Sequence, residues 1–267
     1  MTGCDTQPSM RNPEISSPTN ERIKRLVRLR ERTQRDEEGV FLVEGDRLID
    51  RARAAGRAPE EIYVTPGHPH QDHPNSTIVE QAVLDKASYR HRSEGIIAVF
   101  AQFSIGLSQI ELGETPLILI AESVEKPGNV GAMLRTADGA GCTALISTGS
   151  GTDVFNPNAI RASTGALFSV PYTHASLIEL AQWLVDNKIA LVVASPGAET
   201  DFWNTDMRGS LAILVGAEDH GPSGEAARLA GRTVAIPMSG ISDSLNVSVS
   251  AALLVFEAKR QRAELSP

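Results

Sequence analysis

From residue 116 onward, short apolar runs alternate with stretches of helical spacing. The runs are "PLILIAES", "TALIST", "IALVVAS", "LAILVGAE" and "TVAIPM". Between them lie "NVGAMLRTADGAG", "NPNAIRASTGALF", "LIELAQWLVDNK" and "GEAARLAG". Strands that are apolar along nearly their whole length have no face fit for water. They predict an α/β fold whose parallel sheet is covered by helices on both sides. Ligands of such sheets sit beyond the carboxyl ends of the strands, so the strand-to-helix loops are where chemistry is expected. The last helix begins at Asn246 and repeats Val247, Ala251, Leu254, Val255 and Ala258 at helical spacing.

The region upstream reads as a second, smaller α/β unit over residues 20–103. It comprises a basic helix, the strands "GVFLVEG", "EEIYVT" and "GIIAVFAQF", and the helices "DRLIDRARAAG" and "STIVEQAVLDKA". Residues 104–115 carry turn residues and little periodicity and are expected to be a linker, with the larger domain at 116–267. Residues 1–19 are polar and rich in Pro and Ser, which predicts a disordered leader rather than a signal peptide. Two cysteines, Cys4 and Cys142, make no disulfide framework. A buried reduced thiol at Cys142 and a cytoplasmic location are the expectation.

The chain carries a formal net charge of −8, which on its face disfavours a nucleic-acid partner, but the charge is unevenly spread. Residues 1–103 hold 15 basic and 16 acidic groups, whereas 104–267 hold 10 and 17. Within "NERIKRLVRLRERTQR" seven cations stand against two acids. Arg22, Lys24, Arg25, Arg28, Arg30, Arg32 and Arg35 are therefore candidate phosphate contacts. The alternative for this stretch is a solvated amphipathic helix with Ile23, Leu26, Val27 and Leu29 inward.

Three loops of the larger domain hold its unusual polar residues. "EKPGNVGAMLRTA" has Asn129 opening a helix and Arg135 six residues later, "LVGAEDHGPS" has Gly216 and Glu218, and "IPMSGISDSLN" has Ser244 and Asn246. Any one of these polar residues could be only a helix cap. Three such loops in a row argue for a ligand site.

These motifs resemble the SpoU/TrmH branch of the SPOUT RNA methyltransferases. The Asn129 to Arg135 spacing, "ILVGAEDHG", "IPMSGISDSLNVSVS" and, between them, "IRASTGALFSVP" follow the family's order. The resemblance implies a C-terminal domain with a deep trefoil knot that binds S-adenosylmethionine in a bent form. It also implies a first domain similar to an RNA-binding ribosomal protein. Cofactor contacts would come from three chain segments: Ala194, Ser195 and Pro196; Gly216 and Ala217; and Ile236, Pro237, Ser244, Leu245 and Asn246. The implied reaction is methyl transfer to a ribose 2′-oxygen, most readily of large-subunit ribosomal RNA, with transfer RNA as the alternative. Some family members confer resistance to ribosome-targeting antibiotics.

By the same resemblance Arg135 engages the 2′-hydroxyl, while Asn129, Glu218, Ser244 and Asn246 hold its geometry. An arginine stays protonated in proteins, so a clamp that stabilises the developing alkoxide suits it better than a base. Arg161 is expected on RNA. A homodimer is implied, with the site completed across its interface, and the reaction requires no metal. Two rival readings remain. "GHPHQDHPN" places His68, His70, Asp72 and His73 at the spacing of a metal-dependent hydrolase, and a non-catalytic RNA-binding module would keep the first domain's role alone.

Overall fold

A computed structural model describes residues 13–150 and 153–264. The chain divides into two compact units. One runs to Phe103 and includes Phe155–Pro157, and the other comprises Ser104–Val154 and the chain from Asn158. Most of the expected leader, residues 1–12, lies outside the described residues. The remainder is ordered against the first unit: Ile15 is buried and bridges Val79, and the Glu14 and Ile15 amides both donate to Ile78 O.

The first unit begins with α1 (Glu21–Arg28) and α2 (Arg32–Glu38), followed by β1 (Val40–Glu44), α3 (Asp46–Ala54) and β2 (Glu61–Val64). It ends with β3 (Ser76–Ile78), α4 (Gln81–Ala87) and β4 (Ile96–Ala101). The strand order is β1-β4-β2-β3, with β4 antiparallel to both β1 and β2 and β3 parallel to β2. Ile23, Leu26 and Leu29 pack with Val83, Leu84 and Ala87 over Leu42, Tyr63, Ile97 and Val99 to make its core.

Two local expectations change here. The basic stretch is two helices, because α1 ends at Leu29 and its terminal carbonyls need donors. The Arg35 guanidinium supplies them, 2.7 Å from Leu29 O and 2.6 Å from Arg30 O, in a side chain only 1% exposed. The helix expected over residues 76–87 opens instead with β3, in register Ile62↔Ser76, Tyr63↔Thr77 and Val64↔Ile78. Thr77, Ile78 and Val79 are β-branched residues in a row, which suit a pleated surface better than a helical turn.

The second unit contains β5 (Leu117–Glu122), α5 (Pro127–Ala140), β6 (Ala144–Thr148), α6 (Pro157–Ser163), β7 (Tyr172–His174) and α7 (Leu177–Asp186). These are followed by β8 (Ala190–Ala194), β9 (Leu211–Val215), α8 (Gly224–Leu229), β10 (Arg232–Val234) and α9 (Val247–Ala263). All six strands pair in parallel in the order β10-β8-β9-β5-β6-β7. Strand β9 thus inserts between β5 and β8, and the chain reverses its direction of travel across the sheet there. Ile118, Ile120, Ile146, Val193 and Leu214 are fully buried, as apolar runs covered on both faces require.

The short edge strand β7 has no counterpart among the sequence expectations, since its three residues lie between two helical patterns. Residues 104–115, expected to be a linker, are instead part of this unit. Ile110 is buried in its core, with Ile105, Leu107 and Leu112 packed against it. Helix α5 approaches α6 closely through Gly131, where a Cβ would stand 2.3 Å from Ala159 O. Among the described residues no helix is long and apolar enough to cross a membrane.

Candidate functional site

The carboxyl ends of β8, β9 and β10 open on one cavity of about 300 Å³. Its walls are Ala194, Ser195 and Pro196 after β8, the turn Gly216–Pro222 after β9, Ile236 and Met238 after β10, and Asp243, Ser244 and Leu245 before α9. Of the sequence-predicted cofactor residues, only Pro237 and Asn246 fall outside the lining.

The wall after β9 is a tight turn: Ala217 bridges Gly221, whose amide donates to Ala217 O at 2.9 Å. Gly216 is required there because a Cβ would stand 2.1 Å from Pro222 N, in backbone that cannot yield. The far end of this turn is tied to β5. The buried Glu122 accepts from Ser223 N at 2.8 Å and from the Ser223 hydroxyl at 2.5 Å. Glu122 is a part of the site that sequence reading missed. Its only signal was an acidic residue ending an otherwise apolar strand.

At the rim of the cavity three loops are cross-linked by side chains. The Glu218 carboxylate accepts from Asn129 Nδ2 and from Lys126 Nζ, and Asn246 Nδ2 donates to Asn129 Oδ1 at 3.2 Å. Asn246 also caps α9, its Oδ1 accepting from Ser248 N at 3.0 Å and from the Ser248 hydroxyl at 2.6 Å. Asn246 is thus a helix cap that also joins the rim network through Asn129. Lys126, a residue sequence reading left out, has its ammonium pKa raised by the hydrogen bond to Glu218 and by that carboxylate's charge.

Arg135 stands apart from this network. It lies six residues beyond Asn129 on α5, about 9 Å along the helix. Its side chain is exposed and has no hydrogen bond or ion pair among the described residues. Ser244 lines the cavity, and Arg161 sits partly exposed in the last turn of α6.

The first unit distributes its predicted phosphate contacts differently. Arg25 pairs with Glu38 and with Glu61, each at 2.6 Å, and Arg30 donates to Ser88 O at 2.6 Å. Arg22 lies over the Tyr63 ring, Lys24 pairs with Glu21, and Arg32 pairs with Asp36. With Arg35 buried, Arg28 is the member of the set whose side chain makes no hydrogen bond or close ion pair among the described residues, though its charge acts on Glu21. Apart from Arg28, the cations of the basic stretch thus have partners within the first unit.

The hydrolase spacing does not close into a ligand set. His68 and His70 turn Nε2 toward Asp46 Oδ1, at 3.4 and 3.7 Å, and His73 Nδ1 accepts from Asn75 N. Among the described residues no group of three or more His, Cys, Asp or Glu is arranged to hold a metal ion. Cys142 is buried, and burial pushes its thiol up to about 12.

Comparison with known proteins places these features. Residues 116–256 match the family model described as SpoU rRNA Methylase family, and residues 20–98 match that of the MRM3-like substrate binding domain. A 23S rRNA (guanosine-2'-O-)-methyltransferase of Bordetella pertussis is 33% identical over 80% of this chain and 94% of its own. A crystal structure titled RNA 2'-O ribose methyltransferase superposes with a TM-score of 0.83 at 42% identity, covering 93% of this chain and 99% of that one. The SpoU methyltransferase AviRb from Streptomyces viridochromogenes, in complex with AdoMet, superposes with a TM-score of 0.84 at 27% identity, covering 91% of this chain and 98% of that one. With the family model spanning the whole cavity and its rim, the chain belongs to the SpoU rRNA methylase family.

Proposed function

We propose that this protein is an S-adenosylmethionine-dependent methyltransferase acting on a ribose 2′-oxygen of large-subunit ribosomal RNA. The observation that carries the reading is the convergence of the loops after β8, β9 and β10 on one cavity, with Glu218, Asn129 and Asn246 linked at its rim. The relatives that support it act, by their names, on 23S rRNA.

The cavity fits the cofactor. Val215, Val234, Ile236 and Leu245 offer apolar surface, and Gly216 leaves the main chain bare at a strand end, so a flat base can be held by backbone groups. S-adenosylmethionine, when bound there, supplies an electrophilic sulfonium methyl. The chain's own residues then have two tasks, to place the acceptor oxygen in line and to stabilise it as its proton leaves. Asn129 and Asn246 offer amide groups to the ribose at the cavity mouth, and Glu218 fixes Asn129. Arg135 is the cation for the developing alkoxide, since a guanidinium is charged at every working pH and forks onto a ribose and its phosphate.

In a single chain Arg135 faces solvent, which favours a homodimer. Helix α9 leaves Val249, Leu253 and Phe256 exposed at 46%, 39% and 47%, an apolar stripe of i, i+4, i+7 spacing beside α5. A second copy covering that stripe would bring α5 of each copy to the interface, Arg135 with it. The loops that meet before α9 are the place for the trefoil knot of the family. Arg161 serves as an RNA contact, and a cytoplasmic location goes with this substrate. The test is methyl transfer from labelled donor to ribosomal RNA by wild type and Arg135→Ala. Loss of transfer with cofactor affinity kept is expected, and retained turnover would remove Arg135 from the mechanism.

A further inference from the structure

We infer that the loop Ser88–Ser93 between α4 and β4, rather than the basic helix pair, is the first unit's principal RNA-phosphate contact, made through Arg90 and Arg92. The inference rests on the reading of the protein as an RNA methyltransferase.

The loop is held at many points from below. Glu44, at the end of β1, accepts from the Ser88 hydroxyl and from Tyr89 N, each at 2.7 Å. The Ser88 hydroxyl also reaches Arg92 O at 3.3 Å, and Asp85 Oδ1 accepts from Ser93 N at 2.8 Å. Arg30 donates to the carbonyls of Lys86 and Ser88. His91 is held at φ +56°, a conformation that non-glycine residues rarely adopt. What this bracing presents is Arg90, His91 and Arg92, all exposed and without a side-chain partner among the described residues.

The contrast with α1 and α2 decides the assignment. There the cations other than Arg28 are occupied by Glu21, Asp36, Glu38 and Glu61 or by backbone carbonyls, and at those positions a phosphate would have to displace a partner already in place. Arg90 and Arg92 have nothing to displace. A guanidinium forks onto phosphate oxygens, and a backbone already fixed loses little freedom on binding. A polyanion is the chemistry this loop fits, and RNA is the polyanion the second unit works on.

The experiment measures binding of a 23S ribosomal RNA transcript as a function of salt. The Arg90→Ala/Arg92→Ala double variant should bind about tenfold more weakly. Its slope of log affinity against log salt should be shallower by roughly 1.4 to 1.8, the loss of two phosphate contacts. Its unfolding midpoint and S-adenosylmethionine affinity should be unchanged. Lys24→Ala/Arg32→Ala, which removes two ion-paired cations, should change the slope by less than half as much. Glu44→Gln removes a negative charge yet loosens the loop, so binding should weaken a few-fold; if net charge alone mattered it would strengthen. Wild-type slope in the loop variant, or an equal effect from Lys24 and Arg32, overturns the assignment. So does a loss confined to polyglutamate, which would give the loop to an acidic protein instead. If wild type itself fails to bind the transcript, it is the proposed function that falls.

Discussion

The two units differ in where their conspicuous polar residues stand. In the second, the strands are buried and apolar, and the polar residues that line the cavity stand at the carboxyl ends of β8, β9 and β10. Buried Gln261 with Arg262 ties α9 to the carbonyls of Thr205, Pro116 and Gly209. In the first, a four-stranded sheet with short helices draws charged residues into the fold itself. Arg35 closes α1, Arg25 ties α1 to α2 and β2, and Glu44 braces a loop. The difference shows that a conspicuous polar residue signals function only where the fold can do without it.

That comparison can be broken by experiment. The largest effect is expected at Arg135, whose side chain has no hydrogen bond or ion pair among the described residues. Arg135→Ala should lower the single-turnover methyl-transfer rate by about a thousandfold while leaving the thermal midpoint and the calorimetric donor affinity within error. A comparable fall in stability would place Arg135 with the first unit's structural cations.

Next comes Arg35, where the reverse is expected. Arg35→Ala leaves the buried carbonyl of Leu29 and the part-buried one of Arg30 without this donor and should cost about 3 kcal/mol of stability in urea unfolding. The salt slope of RNA binding, measured where the variant is folded, should not change. A shallower slope with stability intact would restore the sequence reading of Arg35 as a phosphate contact.

Gly216→Ala probes the cavity wall, since the new Cβ has Pro222 N at 2.1 Å. The turn must shift, and donor affinity should fall about tenfold, roughly 1.4 kcal/mol, read by calorimetry. Unaltered affinity would detach this turn from the cofactor.

The smallest effect is a pH dependence confined to the first unit. Burial alone would raise the Glu61 carboxyl, but hydrogen bonds from Tyr63 and Arg25 and the charges of Arg25 and Arg22 hold it below its ordinary 4.5. A carboxyl lowered in the folded state contributes stability that is whole above pH 4.5 and is lost as pH falls through the lowered value. Glu61→Gln should therefore flatten the first unit's stability profile below pH 4.5 and leave it parallel to wild type above. A profile of wild-type steepness would assign the acid sensitivity to other groups.

Much of the second unit was legible because its determinants are local. Apolar runs set β5, β6, β8 and β9, and Asn129, Glu218 and Asn246 could be picked out as polar residues at helix or loop starts. Their hydrogen bonds, which span 89 and 117 residues, have no trace in spacing. Lys126 and Glu122 were missed for the same reason, since the value of each lies in a partner about ninety or a hundred residues away. In the first unit the pairing of the basic stretch was not legible, because composition counts charges and is blind to the acids that meet them. Glu38 and Glu61 reach Arg25 from α2 and β2. The quieter "YRHR" carried no periodic signal, and Glu44, which gives it shape, lies 44 and 45 residues upstream.

The amino-acid sequence by itself determined most of the strands and helices, though not β3 or β7, that the larger sheet is parallel and buried, and which loops emerge at its carboxyl edge. Those properties follow from hydrophobic periodicity and turn chemistry over a few neighbouring residues. Only the tertiary structure decided which cations are occupied and which are free, which carboxylates brace loops, and which loop walls share a cavity. Those outcomes depend on distances between groups far apart in the chain, and a charge acts on whatever stands within a few ångströms of it in space.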